Sequence, residues 1–457
     1  MIHATLSQIT PILEAQHIGQ NVSFTGCGID TRQDLTGQLF VALRGERFDA
    51  HEFTDKAQQQ GAVALVVSQP VSTDLPQLVV EDTKLALGQI AYFWRQQFDI
   101  PTIAVTGSNG KTTTKEMLKA IFAQQGQVLA TQGNFNNDIG LPLTLFNLAE
   151  HHDSAILEMG ANHVGEIGYL TKIAQPNVAT ITQCAPAHLA GFKTIENIAE
   201  AKGEIFSGLN QDGVAVINQD DRFAPYWREL AQPHPVIEFG LSPQADVSAQ
   251  NIQLSTLDSS FELTTFKGHI PIHLPLAGQH NIMNALAAAA CALASDIDLE
   301  TIQQGLASIQ PVAGRLQTFK GLNHSILIND TYNANPTSFK AALSVLQQYP
   351  TPRWLIMGDM GELGLDSAAL HQEIGEIAYK TGVEQLWALG DYSRYAVESF
   401  QGQAQHFTTH EALLEALNIA LMQQSHATLL IKGSRSMTME KITFGLQVED
   451  NHAALVK

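Results

Sequence analysis

The chain has 457 residues, 44% of them hydrophobic, and carries 25 basic and 45 acidic side chains for a formal charge of −20. That length sets an expectation of about three domains, and the hydrophobic fraction suits folded cores rather than a disordered chain. The acidic balance excludes general nucleic-acid binding, which needs a basic face, so any polyanionic ligand has to be held by a few placed cations, helix N-termini and metal ions.

Residues 1–16 lack a charged region followed by an apolar core, so no signal peptide is expected. The first domain is predicted over 1–82 as a small α/β unit. Its short strands lie at 38–43, 62–67 and 77–80, with one helix at 52–60. A helical connector over 83–97 bears Leu85, Leu87, Ile90, Phe93 and Trp94. The second domain, 83–314, has β-type runs at 103–105, 155–158, 178–182 and 214–218 separated by helical patterns, which predicts a mostly parallel sheet with crossover helices. Residues 236–273 alternate and predict an antiparallel addition; 278–294 predict a helix. The apolar run Ala285–Ala294 is too short to span a bilayer, so no membrane span is expected. The pattern restarts near Pro311–Arg315. Strands at 325–330, 354–357, 385–389 and 428–432 predict a third, Rossmann-like α/β domain over 315–457. Cys27, Cys184 and Cys291 are far apart without metal spacing, which suits thiols in a reducing cytoplasm.

The stretch Ala104–Lys115 carries the most chemistry. An apolar β-type lead-in enters Gly107-Ser108-Asn109-Gly110-Lys111-Thr112-Thr113, and a helical pattern with Met117, Leu118, Ile121 and Phe122 on one face follows. Strand, glycine turn and helix start form a phosphate cradle: backbone N–H groups face the anion, Lys111 adds a mobile charge, and Thr112 offers a hydroxyl to Mg²⁺. Val105 stands where the common P-loop has its first glycine, so the loop is shorter than in standard GTPases.

Other candidates take their meaning from position. Glu158 ends a buried-type strand, where a carboxylate holds Mg²⁺ directly or through water, or else is a helix-capping or a surface glutamate. His188 lies in the loop after the next strand, as a second metal ligand or a structural histidine. Lys202, read alone, is a solvated lysine on a helix. Asn281, beside His280, either reads a nucleobase or caps the alanine-rich helix. Arg315 stands at a domain junction, where it reaches a γ-phosphate or forms an interdomain salt bridge. Asp330, Tyr332 and Asn335 follow a strand of the third domain and make either a ribose and base site or an Asn/Pro-rich turn. The loop with Asn136 and Asn137, and the cationic turn Lys432, Ser434, Arg435, could bind carboxylates or phosphates, or be solvated turns.

Taken together and in order along nearly the whole chain, Thr106–Thr113, Glu158-Met159-Gly160, the His188 loop, Lys202, His280-Asn281, Gly314-Arg315 and Asp330–Pro336 resemble the Mur ligase family, the ATP-dependent amide-forming enzymes of peptidoglycan precursor synthesis. Asn136–Pro142, Ala185–His188, Ala201–Phe206 and Tyr332–Pro336 look most like the member that joins D-alanyl-D-alanine to UDP-N-acetylmuramoyl-tripeptide. The resemblance implies a cytoplasmic enzyme, with ATP as co-substrate and two Mg²⁺ ions. One ion would be held by Thr112 and Glu158, the other by His188 and a carbamylated Lys202. It assigns Asn281, Asp330, Tyr332 and Asn335 to adenosine and Arg315 to the γ-phosphate. It gives Asp30, Thr31 and Arg32 to the UDP end, and Asn136, Asn137, Lys432, Ser434 and Arg435 to peptide carboxylates. Nothing demands a partner chain, so a monomer is expected.

Three rivals are set against this reading. A tripeptide-forming ligase of the diaminopimelate-adding type usually carries Asp-Asn-Pro-Arg, a motif not found in the third domain. A folylpolyglutamate synthase lacks the separate UDP-binding domain that residues 1–82 provide. An ATP-hydrolysing switch protein would need no acceptor site.

Overall fold

The computed structural model describes residues 1–45, 48–187 and 189–448, which build three α/β domains. Near the N-terminus a five-stranded sheet runs in the order Gln16–Ile18, Gln77–Val79, Ala64–Val67, Leu39–Val41, Cys27–Gly28; its first pair is antiparallel and the rest parallel. A two-stranded ribbon, His3–Thr5 with Ser23–Thr25, lies beside it. The connector is the helix Thr83–Arg95. Its first turn is closed by Asp82, whose carboxylate accepts from Lys84 N at 2.7 Å and Leu85 N at 3.0 Å.

The central sheet has nine strands. Thr102–Thr106 lies inside it, flanked by Ser154–Glu158 on one side and Val178–Ile181 on the other, all parallel. The connection leaving Thr106 runs toward one edge of the sheet, to Val128–Ala130, whereas the connection leaving Ile181 runs toward the other, to Val214–Asn218. The loops after 106, 158 and 181 therefore open at one crevice beyond the strands' carboxyl ends, where ligands of such sheets sit. The sheet continues in parallel through Val214–Asn218, Val236–Gly240 and Val247–Leu254. Only then does it turn antiparallel, through Ser259–Thr265 and Gly268–Leu274. The antiparallel addition expected over 236–273 thus begins one strand late: Val236–Gly240 is reached by the crossover helix Ala224–Leu230 and so enters parallel.

One face of this sheet is covered by the helices Lys111–Phe122, Gln279–Ala294 and Leu299–Ala307, whose apolar side chains share one core. Ala285–Ala292 are fully buried, so the alanine run is a core helix whose small side chains admit close neighbours. The opposite face packs under Thr83–Arg95, Gly140–Leu145 and Glu166–Ala174, and its core runs on into the N-terminal sheet. Among the described residues no helix is long and apolar enough to cross a membrane.

The C-terminal sheet has six strands in the order Gln317–Lys320, Ile326–Asp330, Thr428–Lys432, Arg353–Gly358, Gln385–Leu389, Gln403–Phe407, parallel except for the first pair. Apolar cores lie on both its faces.

Candidate active site

Gly107 and Gly110 make the turn after Thr102–Thr106, with φ of +151° and +83°. A Cβ at Gly107 would collide with the Thr182 hydroxyl, and one at Gly110 with the Asn284 amide. Both positions therefore need glycine for space as well as for backbone angle. The helix that follows begins at Lys111 with no side-chain cap, which leaves its first N–H groups for an anion. Ser108 staples this turn to the neighbouring loop: its hydroxyl donates to Ala185 O at 2.9 Å and accepts from Ala185 N at 3.0 Å. Thr182 Oγ1 donates to Asn109 O at 2.5 Å.

The turn opens on a cavity of about 550 Å³. Ser108–Thr113, Glu158, Lys202 and Asn281 line it from the central domain, and Arg315, Asp330, Tyr332, Asn335 and Lys432 from the C-terminal one. Lys111 Nζ donates to Gly107 O at 2.6 Å, and burial draws its pKa below the ordinary lysine value despite the nearby Glu158 carboxylate. Glu158 is 2% exposed. Its backbone N donates to Thr131 Oγ1 at 3.0 Å, its Oε1 accepts from Asn136 Nδ2 at 2.8 Å, and its Oε2 is buried without a partner.

A buried carboxylate oxygen left unpaired is costly unless a cation meets it, so Glu158 and the Thr112 hydroxyl fit a hard divalent ion. Among the described residues no three His, Cys, Asp or Glu side chains gather as a metal cage. An ion at Glu158 would then be completed by nucleotide phosphates and water, the usual habit of Mg²⁺.

Lys202 sits near the end of the helix Ile195–Gly203, which Thr194 caps and Trp227 braces through an indole bond to Ala199 O at 3.0 Å. Read alone it is a solvated lysine; in the fold it is 4% exposed. Burial, and then the charge of Lys111, pull its pKa down to about 7. Lys202 lines the cavity. His188 lies outside the described residues. Its loop is tied on both sides, by the Ser108–Ala185 bonds and by Ala190 N donating to Glu362 O of the C-terminal domain at 3.1 Å.

From the C-terminal domain, Arg315 Nη2 donates to Thr112 Oγ1 at 2.9 Å while its guanidinium lies 4.4 Å from the centre of the Tyr332 ring. Among the described residues it forms no salt bridge, and its Nε is buried without a partner. Asn335 caps the helix Pro336–Leu346 and also donates from Nδ2 to Asn109 Oδ1 at 2.7 Å. Asn281 is in the first turn of its helix, behind the cap residue Gly278, and donates to Ala277 O at 2.8 Å. Neighbouring His280 is held neutral, its pKa drawn down to about 4 by burial.

The remaining candidates divide. Asn136 and Asn137 line the large cavity, but Asn136 holds Glu158 and Asn137 Oδ1 accepts from Gly140 N at 2.8 Å at the start of a helix. The cationic turn splits. Lys432 points inward, 2.6 Å from Asp330 Oδ2. Ser434 and Arg435 line a second cavity of about 160 Å³ with Ala187, Asn333 and Gly361. Asp30 and Arg32 pair with each other at 2.7 Å, a bond that holds the Asp30 carboxyl down to about 2, and Thr31 is buried; none of the three lines either cavity. Sequence reasoning missed Thr131 and Thr182, which fix the Glu158 backbone and the P-loop. The only signal for them is a threonine at the carboxyl end of a strand.

Comparison with known proteins finds the Mur ligase family, catalytic domain, over residues 23–95. It finds the Mur ligase middle domain over 105–292, and the Mur ligase, glutamate ligase domain over 314–435. The chain is 43% identical over 450 residues to the UDP-N-acetylmuramoyl-tripeptide–D-alanyl-D-alanine ligase of Escherichia coli (strain K12), covering 98% of this chain and 99% of that protein. The fold matches a crystal structure of MurF from Acinetobacter baumannii with TM-score 0.93 and 38% identity, covering 97% and 98% of the two chains. It also matches MurF ligase from Thermotoga maritima in complex with ADP, with TM-score 0.82, 26% identity and coverage of 92% and 96%.

Proposed function

The chain belongs to the Mur ligase family, and we propose on that premise that it is an ATP-dependent ligase adding D-alanyl-D-alanine to UDP-N-acetylmuramoyl-tripeptide in peptidoglycan precursor synthesis. One observation carries the reading. A single cavity is walled by the P-loop, Glu158 and Lys202 on one side and by Arg315, Asp330 and Asn335 on the other, so a nucleotide and a carboxylate donor can meet between the domains.

In the reaction the terminal carboxylate of the tripeptide attacks the γ-phosphorus of ATP. ADP leaves with the bridging oxygen, and an acyl phosphate forms. The free amine of D-alanyl-D-alanine then adds to the acyl carbon, the tetrahedral adduct loses a proton and expels phosphate, and the amide remains. Two anions must be brought together, so positioning and charge neutralisation carry the catalysis. Lys111 would move from Gly107 O to the phosphates. Arg315, already at the P-loop threonine, would face the γ-phosphate. Asn281, Asp330, Tyr332 and Asn335 would hold adenosine.

Mg²⁺ at Thr112 and Glu158 would supply charge neutralisation of the triphosphate. A buried amine with pKa about 7 is substantially neutral near pH 7, and a neutral amine adds to CO₂ to give a carbamate with release of a proton. That supports a carbamylated Lys202, an anion able to join His188 at a second ion. Ser434 and Arg435 would take the dipeptide carboxylate at the smaller cavity, and Asp30–Arg32 the UDP end. The domain divisions 1–82, 83–314 and 315–457 would separate those three tasks, and we place the enzyme in the cytoplasm as a monomer.

The test is phosphate release from Mg-ATP and UDP-N-acetylmuramoyl-tripeptide with and without D-alanyl-D-alanine, together with product mass. Release that requires both substrates, with a product heavier by one dipeptide unit, supports the reading. Release indifferent to the dipeptide would replace it with another amino acceptor or a hydrolysing switch.

A further inference from the structure

Lys432 ends the strand Thr428–Lys432, and the parallel register sets it beside Asp330 at the end of the neighbouring strand. Its Nζ reaches Asp330 Oδ2 at 2.6 Å and donates to Asn333 O at 2.9 Å, 5.5 Å from the centre of the Phe339 ring. It is 2% exposed, and both polar contacts lie within its own domain. The other oxygen of Asp330, Oδ1, accepts from Leu316 N at 3.3 Å.

That bond lands on an unusual piece of backbone. Gly314 and Leu316, on either side of Arg315, both have positive φ, +69° and +52°. For a leucine this conformation costs about 1 kcal/mol or more and persists only where the surroundings hold it. Three hydrogen bonds hold it here: two between backbone groups, Arg315 N to Val312 O at 3.1 Å and Tyr332 N to Gly314 O at 3.1 Å, and one from Leu316 N to the Asp330 carboxylate. The turn aims the guanidinium across the domain boundary at Thr112.

We propose that Lys432 is a positioning residue for Arg315. It neutralises and fixes Asp330, Asp330 fixes the left-handed turn at 314–316, and the turn delivers Arg315 to the P-loop. Without the lysine, Asp330 would be a poorly compensated carboxylate at the wall of the cavity. Its relief, by rotation or by uptake of a proton, would weaken the bond to Leu316 N. Lys432 is then not a ligand for a peptide carboxylate. The inference rests on reading the large cavity as the nucleotide site.

The test is a double-mutant cycle of Lys432→Met and Arg315→Ala, read on the Kd for Mg-ATP by calorimetry and on turnover. Lys432→Met is expected to weaken Mg-ATP binding about tenfold, the scale of one charge-assisted hydrogen bond. It should lower kcat on the order of 10²-fold, the scale of a small misplacement of a reacting group, and leave the KM for D-alanyl-D-alanine unchanged. Once Arg315 is alanine, Lys432→Met should cost almost nothing more. Losses that multiply would overturn the proposal, because a lysine that only glues two strands has no reason to act through Arg315. So would a raised dipeptide KM with unchanged Mg-ATP binding. Should Lys432→Met fail to fold, Lys432→Gln is judged by the same criteria. Wild-type turnover is the separate control for the ligase reading, since the binding cycle needs no acceptor and a wrong acceptor leaves it intact.

Discussion

Arg315 Nη2 and Thr112 Oγ1 lie 2.9 Å apart although 203 positions separate them in the chain. The hydrogen bond joins the first residues of the C-terminal domain to the threonine of the P-loop. Asn335 and Asn109 repeat the link at 2.7 Å. The Gly107–Thr113 turn is therefore bridged by a domain that begins after the turn's own sheet has ended.

Arg315→Ala should lower kcat by about 10³-fold, the scale on which arginine fingers act, with the melting temperature nearly unchanged. Arg315→Lys should recover little, because an ammonium cannot both stack on Tyr332 and reach Thr112 with a fork of donors. Steady-state turnover beside a thermal melt decides this, and near-normal kcat for Arg315→Ala would remove the arginine from the chemistry.

Glu158 presents one carboxylate oxygen to Asn136 and leaves the other unpaired. Asn136→Ala should raise the Mg²⁺ concentration for half-maximal activity by about 10-fold, the usual effect of losing an outer partner of a metal ligand. Glu158→Ala should raise it further. If Asn136→Ala instead raises the KM for the tripeptide at an unchanged Mg²⁺ requirement, Asn136 is a substrate contact.

The Lys202 pKa is drawn down to about 7 by burial. Only the neutral amine adds CO₂, so the reactive fraction grows as pH rises through that value. Enzyme stripped of CO₂ at low pH should regain activity when bicarbonate is adjusted to give the same dissolved CO₂ at each pH, faster at pH 8 than at pH 6, with a mass gain of one CO₂ at Lys202. Recovery independent of pH and of bicarbonate would rule the carbamate out.

Gly305 brings the helix Leu299–Ala307 against the P-loop helix so closely that a Cβ would strike the Ile121 backbone. Backbone cannot yield as a side-chain tip does. Gly305→Ala should therefore cost about 1–3 kcal/mol and lower activity by shifting the helix that begins at Lys111. An unchanged melt would mean that the two helices separate freely.

The P-loop was legible because its chemistry is local: glycines, lysine and threonine declare themselves within a few residues. Glu158 was legible from its place at a strand's end. Lys202 was not, since its burial depends on how the helix Ile195–Gly203 lies against the sheet, and nothing local records that. Lys432 looked like part of a cationic turn; only the register beside Asp330 turns it inward. Arg315 stood between a salt bridge and a phosphate contact; only the placement of the C-terminal domain brings it to Thr112. Among the strands, Gln317–Lys320 and Gln403–Phe407 escaped notice because they are polar sheet edges without an apolar run, and Val128–Ala130 because it is short.

The most direct test of the account is the fate of oxygen in the tripeptide's terminal carboxylate. With that carboxylate labelled with oxygen-18 and the enzyme turning over Mg-ATP and D-alanyl-D-alanine, an acyl phosphate requires one labelled oxygen in each phosphate released. Phosphate free of label, with the amide still formed, would contradict phosphoryl transfer to the carboxylate and with it the roles given to Lys111 and Arg315.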